Sequence, residues 1–503
     1  MVKTLLVANR GEIAARLFRA CRLLGVRSVA IYSEADAQAP WSRLADERYP
    51  LKGVAAADTY LNQSAILAIA QQAGVEAIHP GYGFLSENAD FAQACVDAGI
   101  IFVGPSAAAM RALGSKASAR ELAQAAGVPV IPGVNGAGMS DEGLLAAAHR
   151  IGFPVLIKAS AGGGGKGMRV VDAESEFLDA VQAARRESIS AFGSDHLILE
   201  KYFTQVRHIE VQVLGDLHGH LIHLYERECS VQRRHQKIIE ETPAPHVPVE
   251  VREEICAAAV SLAQEVGYAS AGTVEFILTP ENQFYLLEMN TRLQVEHPVT
   301  EWVTGVDIAA WQIRIASGEP LTLQQADIRQ RGHALESRVY AEDPAHNFMP
   351  STGTITYYAR PHGPNIRVDD GIETGSVVSP YYDPMLAKII TWGADRADAI
   401  AQMRHALHET TVLGITTNIP YLLAILEHPA FQSGQTHTGF LGQHFPTWQA
   451  TPPTDDHTLL AIAVAELLMG KSGQTSGQRP TANGPLTLPD PWNQSTGWRN
   501  VLK

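Results

Sequence analysis

Several kinds of segment are absent from this chain of 503 residues. No apolar run approaches the eighteen or so residues that a membrane span needs, so we expect no membrane partner. The N-terminus begins at once with a short strand at residues 4–8, without the basic and apolar regions of a signal peptide. The 4 cysteines have neither metal-ligand spacing nor disulfide density, which favours a reducing, cytoplasmic location.

Positive charge is also scarce. The formal net charge of −14 argues against a nucleic-acid partner. The basic run at residues 233–237 is therefore interpreted as a local anion site in an acidic protein, with a solvated basic patch as the alternative. The length and a hydrophobic content of 46% allow three or so domains, each with its own core.

Two common nucleotide-binding motifs are missing. The first strand is followed by Asn9-Arg10-Gly11-Glu12, where a dinucleotide-binding fold has G-x-G-x-x-G, and this counts against a dehydrogenase. The glycine-rich segment at residues 162–167 is not a Walker A loop, because Lys166 is followed by Gly167 instead of Ser or Thr. A strand is predicted after it, so we expect a flexible hairpin that closes over a nucleotide; a mobile surface turn is the alternative.

The most informative segment is residues 288–296, which combines carboxylate, amide and guanidinium groups directly after the apolar run 284–287. That run is predicted to be a buried strand. A four-residue loop before it would pair Thr279 with Phe284 and place Glu275 opposite Glu288. Facing carboxylates repel unless a cation lies between them. With Asn290 they form an oxygen-only ligand set, which suits Mg²⁺ or Mn²⁺ shared with phosphates and does not suit zinc.

The chain as a whole is predicted to contain four regions. Residues 1–115 alternate strands and amphipathic helices, which is typical of an open parallel sheet. Residues 116–330 contain a small lid at about 130–203 and the metal hairpin. Residues 331–446 open with an alternating strand at 332–340, and residues 447–503 comprise an apolar helix at 459–469, a linker at 471–491 and the start of a further domain.

Five long motifs resemble the biotin carboxylase component of biotin-dependent carboxylases, which are ATP-grasp enzymes. They lie at residues 8–14, 79–88, 162–167, 226–237 and 288–300, and the resemblance covers roughly residues 1–445. It implies an α/β ATP-grasp fold with an N-terminal parallel-sheet domain, a mobile lid and a C-terminal α+β domain. It also implies a ligase that uses ATP and bicarbonate to carboxylate biotin.

The resemblance assigns roles to individual residues of this chain. Lys116 and Lys158 are suited to contact the phosphates, and Glu275, Glu288 and Asn290 to hold two Mg²⁺ or Mn²⁺ ions. The remaining residues implied in nucleotide or cofactor binding are Gly164, Gly165, Glu200, Lys201, Tyr202, Phe203, His208, Gln232, His235, Ile277, Val295 and Asp383.

Four residues are implied in the chemistry. Arg292 and Lys237, with the backbone N–H of Val295, are expected to bind bicarbonate, and Glu296 to act as its general base. The product is carboxyphosphate, which collapses to CO₂ and phosphate. Arg338 then stabilises the enolate-like ureido oxygen of biotin, for which a planar guanidinium is well suited.

The chain contains no Ala-Met-Lys-Met-type tetrapeptide, so biotin is expected to arrive on a separate carrier domain or protein. Residues 490–499 resemble the domain that follows biotin carboxylase in α-subunits of the methylcrotonyl-, geranyl- or propionyl-CoA type. We therefore expect a carboxyltransferase partner, a homodimer or larger assembly, and either a fragment or a truncated subunit. The sequence does not indicate which acyl-CoA is finally carboxylated. Alternatives are another ATP-grasp ligase, the stand-alone biotin carboxylase of acetyl-CoA carboxylase, and a silent scaffold.

Overall fold

The computed structural model describes residues 1–159, 168–449, 460–462 and 464, without the side chains of residues 116, 117, 191 and 192. The chain divides into two compact units, Met1–Gln449 and Ala450–Lys503. In the second unit the described residues are helical. The rest of the helix expected at 459–469, the linker and the further domain lie outside the described residues.

Strands and helices alternate through the first region, as predicted. Its elements are β1 (Thr4–Val7), α1 (Gly11–Leu24), β2 (Arg27–Tyr32), β3 (Glu47–Pro50), α2 (Gln63–Gln72), β4 (Ala77–His79), α3 (Ala89–Asp97), β5 (Ile101–Phe102) and α4 (Ala107–Gly114). The sheet has five strands in the order β3-β2-β1-β4-β5, and all its pairs are parallel. Asn62, Asn88 and Ser106 each cap the helix that follows by accepting a backbone N–H three residues ahead.

A small antiparallel sheet follows, in the range predicted for the lid. The elements here are α5 (Lys116–Ala125), β6 (Gly133–Asn135), α6 (Asp141–Ile151), β7 (Val155–Ala159), β8 (Arg169–Val171), α7 (Phe177–Phe192) and β9 (Leu197–Lys201). The strand order is β6-β9-β7-β8. The strand predicted after the glycine-rich segment is present as β8, whereas residues 160–167 themselves lie outside the described residues.

The next region supplies the strands that carry most of the predicted site. Its elements are β10 (Arg207–Gly215), β11 (Leu221–Arg233), β12 (Gln236–Thr242), α8 (Val249–Glu265), β13 (Ser270–Leu278), β14 (Phe284–Asn290), α9 (His297–Thr304) and α10 (Ile308–Ala316). A two-residue turn joins β11 to β12, with positive φ at both Arg234 (48°) and His235 (68°). This is the type I′ geometry that matches the twist of paired strands.

The last region of the first unit mixes short strands with helices. These elements are β15 (His333–Tyr340), β16 (Glu342–Asp343), β17 (Met349–Pro350), β18 (Gly353–Thr354), β19 (Tyr357–Ala359), β20 (Ile366–Asp370), β21 (Val377–Val378), β22 (Met385–Gly393), α11 (Arg396–Glu409), β23 (Thr411–Leu413), α12 (Ile419–Glu427), α13 (Pro429–Gln432) and α14 (Phe440–His444).

One antiparallel sheet of eight strands, in the order β14-β13-β10-β11-β12-β15-β22-β20, connects these last two regions. It crosses the expected boundary near residue 331, where β12 pairs with β15. The expected alternation of β15 is wrong, because all eight of its residues are buried. β15 is an inner strand on which both α9 and α11 pack, so both of its faces are covered.

The hairpin formed by β13 and β14 corrects two further expectations. Leu278, and not Thr279, pairs with Phe284, yet Glu275 still lies opposite Glu288 because the register shifts after Glu275. This irregularity compensates for the longer loop. The run 284–287 is a strand, as predicted, but it is not buried throughout, because β14 forms the edge of the sheet.

In the described part of the chain, no helix combines the length and the apolar character that crossing a bilayer demands.

Candidate active site

A cavity of about 1170 Å³ lies over the large sheet and is bounded by parts of β7 and β9. It brings together residues that are far apart in the chain. The predicted site residues that line it are Lys158, Glu200, Lys201, Tyr202, Phe203, His208, Gln232, His235, Lys237, Glu275, Ile277, Glu288, Asn290, Arg292, Val295, Arg338 and Asp383.

The ammonium of Lys237, on β12, is the centre of the charged part of the site. It donates to Glu210 Oε2 at 2.5 Å, Glu275 Oε1 at 2.8 Å and Glu296 Oε1 at 2.6 Å. Burial lowers the pKa of Lys237, but the three carboxylates outweigh burial and hold it well above the usual range. Lys237 is therefore a permanent cation that joins three elements.

Arg338, on β15, contacts the same carboxylate from the other side. Its Nη2 donates to Glu296 Oε2 at 2.9 Å and its Nε to Glu240 Oε1 at 2.5 Å. Burial raises the pKa of Glu296, yet Lys237, Arg338 and Arg227 together hold it well below its usual range. Glu296 is thus ionised at neutral pH, as a proton acceptor must be.

A second buried arginine supports this arrangement from below. Arg227 is fully buried, and its Nε donates to Glu210 Oε1 at 2.7 Å. Its Nη1 donates to Gln212 and to Thr300, the latter on α9. Glu210 therefore accepts from both Arg227 and Lys237, and its buried charge is compensated on both oxygens.

The hairpin of β13 and β14 carries the oxygen-bearing side chains that were predicted to hold a metal. Glu275 and Asn290 are buried, and Asn290 Nδ2 donates to Glu275 Oε1 at 2.8 Å. Glu288 lies across from Glu275 and also lines the cavity. Burial raises the pKa of Glu275, but Lys237 and His208 hold it well below its usual range. These carboxylate and amide oxygens are of the kind that Mg²⁺ and Mn²⁺ prefer.

Arg292 is held in place by its neighbours before any substrate binds. Its Nε donates to Glu87 Oε2 at 2.9 Å, and its Nη groups donate to Gln294 Oε1 at 2.9 Å and Asn290 Oδ1 at 3.1 Å. Glu87 also accepts the backbone N–H of Thr291 at 3.1 Å. One residue from the first region thus orients the guanidinium at the end of β14.

The other end of the cavity is apolar. Phe203 and Tyr285 stack with ring centroids 5.2 Å apart and an interplanar angle of 16°. They pack against Ile131, Val206 and Ile277. Phe203, Val206 and Ile277 line this part of the cavity, and such an apolar surface suits the face of an aromatic ring. Beside it the ammonium of Lys158 forms an ion pair with Glu200.

Some predicted site residues are placed differently from the main group. Lys116 begins α5, but its side chain lies outside the described residues, as do Gly164 and Gly165. The ammonium of Lys201 donates to the carbonyl oxygens of Gly152 and Phe153 at 3.0 and 2.9 Å, so this side chain contacts the residues just before β7.

Four residues that complete this network had no role in the sequence analysis: Glu87, Glu210, Arg227 and Lys388. Glu87 and Arg227 lie inside motifs noted above, so their position in those motifs was the available signal. Glu210 lies beside His208 on β10. Lys388 is fully buried and donates to Val295 O at 2.7 Å, but its own strand gave no hint of a partner 93 positions away.

Family models match most of the chain in three consecutive parts. "Biotin carboxylase, N-terminal domain" matches residues 1–110, and "Carbamoyl-phosphate synthase L chain, ATP binding domain" matches residues 115–324. "Biotin carboxylase C-terminal domain" matches residues 336–443. With the sheet and the cavity described above, these matches define an ATP-grasp ligase.

The relatives narrow this class. Biotin carboxylase 1 of Bacillus subtilis is 50% identical over 442 residues, which cover 88% of this chain and 98% of the relative. The α-subunit of mitochondrial methylcrotonoyl-CoA carboxylase from Dictyostelium discoideum is 45% identical over 500 residues, covering 99% of this chain and 70% of the relative. The chain belongs to the biotin carboxylase family.

Solved structures agree with this assignment. The biotin carboxylase domain dimer of 2-oxoglutarate carboxylase from Hydrogenobacter thermophilus, in complex with MgADP, ADP and bicarbonate, is 46% identical with a TM-score of 0.85. The match covers 90% of this chain and 100% of that one. A biotin carboxylase from Campylobacter jejuni is 44% identical with a TM-score of 0.85, over 88% of this chain and 99% of that one. The activity is therefore ATP- and bicarbonate-dependent carboxylation of biotin, with Mg²⁺.

The central cation generates a prediction about stability. Replacing Lys237 by Met leaves Glu210, Glu275 and Glu296 buried with less compensation, and this should cost about 3–5 kcal/mol. Without the ammonium, burial and mutual repulsion raise the carboxyl pKa values, so the loss of stability relative to the wild-type chain should be smaller at about pH 6 than at about pH 8. In the wild-type chain Glu275 and Glu296 have lowered pKa values, so their contribution stays constant in this window. Thermal unfolding at both pH values measures the difference.

Lys201→Met is the matched control, because among the described residues Lys201 donates to two neutral carbonyl oxygens. Its loss of stability should be independent of pH. Equal pH dependence in the two variants would contradict the role given to Lys237.

Proposed function

We propose that this chain is the biotin carboxylase component of an acyl-CoA carboxylase and that its predicted site residues act in the roles below. The observation that carries the proposal is the contact of Glu296 with both Lys237 and Arg338, next to an oxygen-ligand hairpin. Glu296 thus lies between two cations. Lys237 is on the side of the hairpin, and Arg338 is on the other side. Phosphorylation of bicarbonate and carboxylation of biotin are consecutive steps, so the groups that serve the two steps have to lie next to each other.

In this proposal the nucleotide occupies the cavity from the apolar residues around Phe203 to the hairpin of β13 and β14. Glu200, Lys201, Tyr202, Phe203 and Ile277 hold the adenine. The groups that face the rest of the nucleotide are Lys116, Lys158, Gly164, Gly165, His208, Gln232 and His235. Phe203 and Ile277 support this assignment because both belong to the apolar cluster. Asp383, which accepts the N–H of Met385 at 2.8 Å, shapes the rim.

Glu275, Glu288 and Asn290 hold the divalent cations. The ions neutralise the charge of the triphosphate. The chain's own contribution is to fix the ligands: Asn290 is oriented between Glu275 and Arg292 through its two amide atoms.

Bicarbonate binds between Arg292, Lys237 and the N–H of Val295. The backbone at Val295 is fixed from behind, since its carbonyl accepts from Lys388. Glu296 takes the bicarbonate proton. Its lowered pKa makes it a weak base while Lys237 and Arg338 both contact it. A bound anion that draws these cations towards itself would raise the pKa of Glu296 and strengthen the base when it is needed.

The bicarbonate oxygen attacks the γ-phosphorus, ADP leaves, and the product is carboxyphosphate. Its collapse gives CO₂ and phosphate, and the phosphate takes the N1′ proton of biotin. Arg338 stabilises the negative charge on the ureido oxygen while N1′ attacks CO₂. A guanidinium fixed through its Nε by Glu240 still has other N–H groups to offer.

The acyl-CoA carboxylase assignment rests on how far the relatives extend. The Dictyostelium α-subunit matches 99% of this chain, whereas the Bacillus biotin carboxylase matches 88%. The chain spans 60% to 70% of the length of six methylcrotonoyl-CoA carboxylase relatives. We propose that a biotin carrier, a carboxyltransferase and a second copy of this chain are its partners, and that it acts in the cytoplasm.

Free biotin should accelerate ADP release by the purified chain in the presence of bicarbonate and Mg²⁺. The expected stimulation follows from consumption of carboxyphosphate by the acceptor. A coupled assay of ADP release with and without biotin measures it, and no response to biotin would refute the proposed function.

Glu296→Gln keeps the shape but removes the base, so turnover should fall by about 10² to 10⁴, while nucleotide binding by calorimetry should persist.

Glu288→Gln should increase the Mg²⁺ concentration needed for half-maximal turnover by roughly 10-fold or more, because a hard cation loses an anionic ligand. Titration of turnover with Mg²⁺, supported by Mn²⁺ binding measured by electron paramagnetic resonance, tests this. Glu281→Gln is a matched control in the loop of the same hairpin. An unchanged titration for Glu288→Gln would remove this residue from the metal site.

Deleting residues 450–503 should leave free-biotin carboxylation nearly intact, because Met1–Gln449 is one compact unit that contains every described site residue. The same deletion should abolish association with a carboxyltransferase partner. Pull-down with a co-encoded carboxyltransferase, followed by assay against a panel of acyl-CoA substrates, checks both statements. Loss of ATP turnover would show that the deleted residues belong to the catalytic body.

A further inference from the structure

Two buried carboxyl groups lie behind Arg338. Glu240 on β12 and Glu336 on β15 are direct partners across the antiparallel pair, so their side chains share one face. Both residues are fully buried, with 0% exposure. Arg338 follows Glu336 by two positions on the same face, and it donates to Glu240 Oε1 at 2.5 Å.

The two carboxyl groups have fewer hydrogen-bond partners than their charges would need. Glu240 Oε2 and both carboxyl oxygens of Glu336 are buried without a partner among the described residues. Two adjacent carboxylates in such surroundings cannot both stay ionised. An ionised group would also have to be paired to balance the cost of desolvation.

The charged groups around the pair do not remove this imbalance. From the same sheet, Arg338, Lys388 and Lys237 face it, and from the start of α9 Glu296 faces it. Lys237 is already shared among three carboxylates. Lys388 lies 3.3 Å from a further buried carboxyl, that of Glu12. Arg338 is divided between Glu240 and Glu296.

We propose that Glu336 stays protonated behind Arg338, and that ionised Glu240 is the positioning residue that holds the Arg338 guanidinium for biotin. The second part rests on the proposed function, in which Arg338 contacts the ureido oxygen. Glu336 keeps the proton and Glu240 gains or loses its charge. Glu240 holds Arg338 as an ion pair in one state and as a weaker, neutral acceptor in the other, while Glu296 accepts from Arg338 in both.

The titration of the pair agrees with this division. Burial raises the pKa of Glu240 to about 7, with Arg338 opposing the rise and Glu296 adding to it. Burial also raises the pKa of Glu336 well above its usual range. Glu240 therefore becomes ionised as the pH rises through about 7. Below that pH Arg338 keeps its contact with Glu296 but loses the charge of Glu240, so the KM for biotin should increase as the pH falls through about 7.

The test uses the full chain with free biotin, with bicarbonate held saturating at each pH. Glu240→Gln retains an acceptor for Arg338 but has no charge to titrate. It should increase the KM for biotin about 10-fold at about pH 8 and abolish the inflection, while the KM for ATP changes less than about 2-fold. Glu336→Gln replaces the protonated carboxyl by a fixed N–H donor, so the inflection should move to lower pH by about one unit.

Glu241→Gln is the matched control. Glu241 is the next residue of β12 and points to the other face, where it contacts Arg396 and His333. The same chemical change there should leave the inflection of the biotin KM in place. If Glu240→Gln does not fold, Glu240→Asp keeps a titrating group, and the inflection should persist with a higher KM for biotin.

Infrared spectroscopy supplies a readout that is independent of activity. A buried protonated carboxyl has a C=O stretch distinct from that of a carboxylate, and Glu336→Gln should remove one such band at about pH 8. An unchanged infrared spectrum, or a wild-type inflection in Glu240→Gln, would overturn the inference. Absence of any biotin stimulation in the wild-type chain would instead refute the proposed function, and the infrared result would still decide whether Glu336 is protonated.

Discussion

The compensation of buried charge around Lys237 is the constraint on which the active site depends. β11 separates β12 from β10, so Lys237 and Glu210 start on strands roughly 10 Å apart. Their side chains meet above β11, where the small side chain of Cys229 lies 3.8 Å from Glu296. Because Cys229 is short, the long side chain of Lys237 can pass over it and reach the glutamates. These contacts position the four strands β10 to β13 and the start of α9 relative to one another.

This network also explains why the site is ordered before substrates arrive. Lys237, Arg292 and Arg338 each already contact a carboxylate of the chain, so incoming anions compete with carboxylates instead of water. Glu210 remains paired with Arg227 when Lys237 turns towards a substrate, because it accepts from both residues. The protein can therefore release part of its cationic charge to a substrate without exposing an uncompensated carboxylate.

Local patterns in the sequence predicted the parts of the site that depend on neighbouring residues. The facing of Glu275 and Glu288 could be predicted from one hairpin, although the loop was longer than expected and an irregular register restored the pairing. The burial of β15 could not be predicted from its own residues, because the helices that cover it come from elsewhere in the chain. The same holds for Glu87 and Arg292, which are 205 positions apart. Contacts of this kind follow from the tertiary fold, and only the motif resemblance anticipated that these segments meet.

The pairing of β12 with β15 has a consequence for how the gene can be divided. Lys237 lies on β12 and Arg338 on β15. The catalytic centre is therefore formed by residues from both sides of residue 331, where the sequence suggested a domain boundary. A polypeptide cut near residue 330 would expose two long inner strands as free edges, and such edges recruit other chains. Splitting this enzyme there would yield aggregating halves and not two modules with partial activity. The outer strand β20, which carries none of the proposed site residues, is a better place for recombination or tagging.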